Sequence, residues 1–124
     1  MTVKIMIVDD DAALRVTLQE ILLDEGRDVI SAKDGYQAIE LASDGPLALI
    51  LMDVQMPGMN GVDTFLKIKE ILPECVVVMM TGYSAESLVQ QALSEGALTV
   101  LHKPVSIEQI LKILEDVVPK SSGS

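Results

Sequence analysis

The sequence predicts an α/β domain: a doubly wound, five-stranded parallel sheet with helices on both faces. Three observations carry this expectation. Apolar runs alternate with helix-patterned segments five times along the 124 residues. The runs are nearly solid rather than alternating, as parallel strands covered on both faces require. Helical crossovers join successive runs, and such crossovers build right-handed βαβ units. The length suits one domain, which would bury about two-thirds of the surface of the unfolded chain. With 49% hydrophobic residues but one Phe, two Tyr and no Trp, the core must be aliphatic.

Val3 to Val8 (VKIMIV) reads as the first strand. The helix from Ala12 places Leu14, Leu18, Ile21 and Leu22 on one face and stops near Gly26, a natural C-terminal cap. Val29 to Ser31 is a short second strand. Asp34 and Gln37 suit the two cap positions of a helix through Ala42, which Asp44, Gly45 and Pro46 break. Leu47 to Met52 (LALILM) is the third and most apolar strand. Residues 57–61 (PGMNG) form a turn, and the next helix carries Phe65, Ile68 and Leu72 before Pro73 closes it. Val76 to Met80 is the fourth strand. Ser84 opens a helix with Leu88 and Ala92 that stops at Gly96, and Leu98 to Leu101 is the fifth strand. Ser106 and Gln109 box the last helix, whose buried side is Ile107, Ile110, Leu111 and Leu114. One domain is expected over residues 1–119. The polar tail 120–124 (KSSGS) reads as a linker, a disordered end or a cloning remnant.

Nine basic residues face nineteen acidic ones, a formal net charge of -10. That balance argues against direct contact with nucleic-acid phosphates or an anionic membrane. Cys75 is alone, so an internal disulfide and a cysteine metal cluster are both excluded. The apolar run before the first acids is too short for a signal peptide or a membrane span. A cytoplasmic setting is expected.

Function is carried by what each strand delivers at its C-terminal end. The first delivers Asp9, Asp10 and Asp11, the third Asp53, the fourth Thr81, and the fifth His102 and Lys103. In a doubly wound sheet these ends converge on one rim, where ligands of such folds sit. Carboxylates crowded there repel one another and need compensating positive charge. Lys103 supplies one charge, and a hard cation such as Mg²⁺ suits two or more carboxylates with water. An Asp can attack phosphorus to give an acyl phosphate, with Thr81, Lys103 and a metal stabilising the transferring oxygens.

Each residue also has a plain structural explanation. A triple Asp after a strand caps a helix N-terminus, and Asp11 suits that role. A Thr before Gly82 is ordinary turn chemistry. Lys103 and His102 suit exposed or structural positions, and Gly58 and Gly61 suit backbone conformation. A cis Lys103–Pro104 bond would fix how Lys103 leaves its strand. It is the convergence of four strand ends that favours a working site.

These residues lie in four segments that together resemble the receiver domains of two-component response regulators. The segments are IMIVDDD at 5–11, ILMDVQMPGMNG at 50–61, MMTGYS at 79–84 and GALTVLHKP at 96–104. The resemblance extends from about Val3 to Val118. It implies a flavodoxin-like strand order 2-1-3-4-5 and Asp53 as phosphoacceptor. It makes Asp10 a direct metal ligand, Asp9 a ligand through water, and the Gln55 backbone carbonyl a further ligand of Mg²⁺, with Mn²⁺ as an alternative. Thr81 and Lys103 would contact the phosphoryl group, and Asp53, Thr81 and Lys103 would form the catalytic set. The implied donor is a phosphohistidine on a sensor histidine kinase or a histidine phosphotransfer protein. The domain would catalyse its own transfer and slow autodephosphorylation, and would act mainly as a switch. Its downstream effector or output domain is not specified by the sequence.

The chain departs from the family pattern at Val100, where an aromatic switch residue is common, and at His102, usually aliphatic. Gln55 and Tyr83 occupy positions that tune phosphoryl lifetime. Three other readings compete. Aspartyl-nucleophile hydrolases carry the nucleophile on the first strand in a DxD arrangement, whereas Ala12 and Ala13 follow the acids here. A degenerate docking module would not keep Asp9, Asp10, Asp53, Thr81 and Lys103. A nucleotide-binding domain would carry a glycine-rich phosphate loop, and neither common pattern is present.

Overall fold

Strand parity decides which side chains meet at the rim. The structure, a computed structural model, describes residues 4–82 and 85–118. The elements in chain order are β1 (Lys4–Val8), α1 (Ala12–Asp24), β2 (Asp28–Ala32), α2 (Gly35–Ala42), β3 (Leu47–Asp53), α3 (Gly61–Ile71), β4 (Val76–Thr81), α4 (Glu86–Ser94), β5 (Thr99–His102) and α5 (Ile107–Val117). All ladders are parallel and the order is β2-β1-β3-β4-β5. The expected fold class and strand order are both present.

Alternate residues of the central strands feed two separate cores. Met6, Val8, Ile50, Met52, Val77 and Met79 join Ala38, Ala42, Phe65, Ile68 and Ala92 on the side of α2, α3 and α4. Ile5, Ile7, Leu49, Leu51, Val78 and Met80 join Leu18, Leu22, Ile110 and Leu114 on the side of α1 and α5. Burying one such aliphatic side chain stabilises the fold by about 1.5–3 kcal/mol. Both faces being apolar is what made the strands read as solid runs.

Caps fix the helix starts. Asp11 Oδ1 accepts from the Ala13 and Leu14 amides at 3.0 and 3.2 Å. Asp34 Oδ1 accepts from the Gln37 amide at 2.8 Å, while Gln37 Oε1 accepts from the Lys33 amide at 2.8 Å, so this box is closed one residue earlier than the usual reciprocal pair. Ser106 Oγ accepts from the Gln109 amide at 3.2 Å. α4 starts at Glu86 without a side-chain cap on Ala85. The expected start at Ser84, the strand start at Val3 and the 120–124 tail lie outside the described residues. Buried Arg27 donates from Nη1 to the Val118 carbonyl, tying the start of β2 to the end of α5. Among the described residues no helix is long and apolar enough to cross a membrane.

Candidate functional site

Asp9 and Asp53 continue the parity of Ile7 and Leu51, so both carboxylates fall on the α1 and α5 side of the rim. Lys103 continues the parity of Leu101 and meets them there. Its ammonium lies 2.7 Å from Asp9 Oδ2 and 3.4 Å from Asp53 Oδ2. Asp9 is fully buried and Asp53 is 4% exposed. Asp10 is exposed, and one ligand oxygen from each of the three acids falls within 4.8 Å of the others.

The electrostatics follow from that crowding. Burial, and then the Asp9 charge, push the Asp53 carboxyl up to about 6, against the opposing pull of Lys103 and the Gln55 amide. Burial works against charge on Lys103, but contact with Asp9 and the charge of Asp53 outweigh it and hold the ammonium above its usual range. The Gln55 amide donates to Asp53 Oδ1 at 3.3 Å, and the Asp11 amide donates to Asp9 Oδ1 at 2.9 Å. Asp9 Oδ2 is buried without a well-directed hydrogen bond. Two buried carboxylates sharing one ammonium, with a third acid beside them, fit a hard, oxygen-seeking divalent cation. No thiol or imidazole joins this group, so the donors do not suit zinc.

The backbone under the acids is tightly built. Gly61 opens α3 with its amide donating to the Val54 carbonyl at 2.8 Å. A Cβ on Gly61 would lie 2.1 Å from the Asp53 carbonyl oxygen, so only glycine fits directly behind the acid. Gly58 has φ +82°, the left-handed conformation that glycine tolerates. The Lys103–Pro104 peptide is cis.

A groove of about 840 Å³ runs from the acids along α1. Asp9, Asp10, Asp53, Gln55 and Lys103 line its polar end, and Leu14, Leu18, Ile21, Val105 and Ile107 form its apolar walls. Thr81 is absent from that lining. It continues the parity of Met79 and lines a second hollow of about 390 Å³ with Glu86, Val89, Gln90 and His102. Lys103 and Gly82 line both hollows. His102 is exposed and pairs with Thr81 across the β4–β5 ladder, and Val100 is half-buried against the α2–α4 core. Tyr83 lies outside the described residues.

Sequence reasoning did not single out Arg15. Its guanidinium donates to the Asp9 carbonyl at 2.6 Å and helps hold the first acid loop. The available signal was its place four residues after the Asp11 cap, on the first turn of α1. The apolar groove wall was also missed as a functional feature, because Ile107 read as part of the buried side of the last helix and Val105 carried no signal of its own.

A family model described as response regulator receiver domain matches residues 5–115. The sporulation initiation phosphotransferase F of Bacillus subtilis is 33% identical over 123 residues, spanning 99% of each chain. The transcriptional regulatory protein PdtaR of Mycobacterium tuberculosis is 36% identical over 120 residues, with 94% of this chain and 57% of PdtaR covered. A solved response regulator protein from Burkholderia pseudomallei superposes with a TM-score of 0.82 at 26% identity, covering 88% of this chain and 64% of that one. That structure is described as holding a phosphorylated aspartic acid, a calcium ion and citrate. The chain thus spans nearly the whole of one relative and little more than half of another.

Proposed function

The chain belongs to the response regulator receiver family, and from that premise we propose that Asp53 is the phosphoacceptor and that Asp9, Asp10, Asp53 and the Gln55 carbonyl hold Mg²⁺ beside it. The observation that carries the reading is the shared ammonium. Lys103 lies between two buried carboxylates that would otherwise repel each other, at 2.7 and 3.4 Å. Such a pair costs stability unless a cation is present, which is the expected signature of a site kept for chemistry.

In the proposed reaction an Asp53 oxygen attacks the phosphorus of a phosphohistidine. The O–P bond forms, the P–N bond breaks, and the electron pair returns to the imidazole nitrogen. Bound Mg²⁺ would neutralise charge on the transferring oxygens. Lys103 would turn from Asp9 toward the phosphoryl group, and the Gln55 amide keeps one Asp53 oxygen oriented. Thr81 would approach the phosphoryl group from the second hollow, moving away from α4 as it does so. Hydrolysis returns the Asp53 carboxylate and inorganic phosphate.

The donor would be a sensor histidine kinase or a histidine phosphotransfer protein. The groove supports this reading, because its apolar walls next to the acids suit the side of a helix that presents a histidine. Intact-mass measurement after treatment with phosphoramidate tests the assignment. A gain of one phosphoryl group is expected for wild type with Mg²⁺, and none with EDTA or in Asp53→Asn. Phosphorylated Asp53→Asn would overturn it.

A further inference from the structure

We propose that Tyr36, on the first turn of α2, is a positioning residue for the divalent-cation site. Tyr36 is 60% exposed, more than any other large hydrophobic side chain among the described residues. An aromatic ring on the surface of a domain with few aromatics invites a reason. The reason lies in what the ring touches.

Gly35 sets α2 down directly on α3 and the β3–α3 loop. A Cβ there would lie 2.2 Å from Thr64 Oγ1 and 3.3 Å from Met59 Cβ, so the start of α2 has one seat. From that seat the Tyr36 ring lies against Gly58. A Cβ on Gly58 would be 3.1 Å from Tyr36 Cε2 and 3.8 Å from its hydroxyl oxygen. Gly58, at φ +82°, is the turn at the tip of the loop that follows Asp53.

That loop is pinned where it closes and at Met56, and exposed on either side of Met56. Gly61 donates to Val54 at 2.8 Å where the loop closes, and Met56 is buried. Gln55, Pro57 and Gly58 are exposed. The Gln55 amide reaches Asp53 Oδ1 at 3.3 Å, a long bond that holds the Val54–Gln55 peptide and not the Gln55–Met56 peptide that carries the Gln55 carbonyl. The ring against Gly58 therefore braces the exposed stretch, and through it the direction of the Gln55 carbonyl. A tyrosine does this at low cost in rotamer freedom, since the ring has two rotatable angles.

The inference rests on the reading above that the Gln55 carbonyl is a cation ligand. It is tested by titrating the whole chain with MgCl₂ in a calorimeter, for wild type, Tyr36→Ala and Tyr36→Phe. Tyr36→Ala is expected to weaken Mg²⁺ binding about tenfold, the lower end for outer partners of metal ligands. Tyr36→Phe keeps the ring and the wild-type affinity. With phosphoramidate, Tyr36→Ala should need more Mg²⁺ for half-maximal phosphorylation yet reach the wild-type rate at saturation. A merely structural role would not give that split. Its Tm in EDTA should stay within about 3 °C of wild type. If Tyr36→Ala melts far lower, the split in Mg²⁺ dependence at 10 °C decides. Equal Mg²⁺ affinities in wild type and a folded Tyr36→Ala overturn the inference alone. A wild-type chain that takes no Mg²⁺ overturns this inference and the metal reading together.

Discussion

On the α1 and α5 side of the sheet rim, three acids and one ammonium crowd a groove of about 840 Å³. On the α4 side of the same rim, Thr81 and His102 line a hollow of about 390 Å³ with no such cluster of charges. One residue of strand parity separates them: Asp53 follows Met52, and Thr81 follows Met80. The first side is over-determined by close contacts, down to a glycine pressed on the Asp53 carbonyl. The second has no such clamp, and behind it a half-buried Val100 packs against the core on the α4 side. On the proposed reading, the first side takes up the phosphoryl charge and the second responds to it. Lys103 and Gly82 are the elements common to both.

Asp53→Asn should break the acid side most completely. Phosphoryl incorporation disappears by intact mass. The metal-free protein should become more stable at pH 7, by about 1–3 kcal/mol in urea denaturation, because a raised carboxyl in the folded state costs free energy once ionised. The Asp53 carboxyl sits at about 6 in the fold, against an ordinary value of 3.8 once the chain unfolds. Between those values the folded state keeps a proton that the unfolded state has lost. Stability from this group is therefore greatest below pH 3.8, falls as pH rises through that window, and is lost above about 6. The stabilisation by Asn should accordingly vanish near pH 4, and a gain equal at pH 4 and 7 would refute the crowding account.

Lys103→Met should separate the two functions of the ammonium. Phosphorylation is expected to fall about 100-fold, a typical loss for one preorganised cationic group. Mg²⁺ affinity, measured by calorimetry, should rise, because the ammonium on Asp9 Oδ2 competes with the metal for a buried oxygen. Unchanged or weaker Mg²⁺ binding would show that Lys103 does not stand in for the cation.

How much of this was legible beforehand differs between the two sides. The acids, Thr81 and Lys103 were legible as strand-end residues, and the sheet order followed from resemblance to the family. What remained hidden is that Thr81 and Asp53 lie on opposite faces. Period-2 alternation would have revealed it, but LALILM and VVVMM are apolar at every position because helices cover both faces. Gly61 was read as a turn residue, although its close approach to Asp53 depends on a partner eight residues away. Arg15 was hidden because its hydrogen bond goes to a backbone carbonyl, which leaves no trace in residue types.

Gly61→Ala sharpens the contrast in rigidity. Its methyl group would meet backbone rather than a movable side chain, so the Asp53 strand end must shift. A loss of about 2–3 kcal/mol is expected from urea denaturation, together with slower phosphorylation. Gly82→Ala is the control on the border of the two hollows. There a Cβ would sit 3.5 Å from Lys103 Cδ, an ordinary contact, and stability should change by less than about 0.5 kcal/mol.

The smallest effects on phosphorylation are expected on the α4 side. Val100→Phe enlarges a half-buried side chain packed against the core on the α4 side, and His102→Ala removes an exposed side chain that lines the hollow. Neither touches the groove that holds Asp53. Each should change stability by less than about 1 kcal/mol and leave the initial rate of phosphorylation by phosphoramidate within about twofold of wild type. Their effect should appear instead in how α4 responds. Hydrogen exchange over residues 85–101, compared before and after phosphorylation, should differ from wild type in both variants, because both alter the space into which Thr81 and α4 rearrange. A tenfold loss of phosphorylation rate in either would mean that the hollow belongs to the chemistry after all, and that parity does not divide the rim.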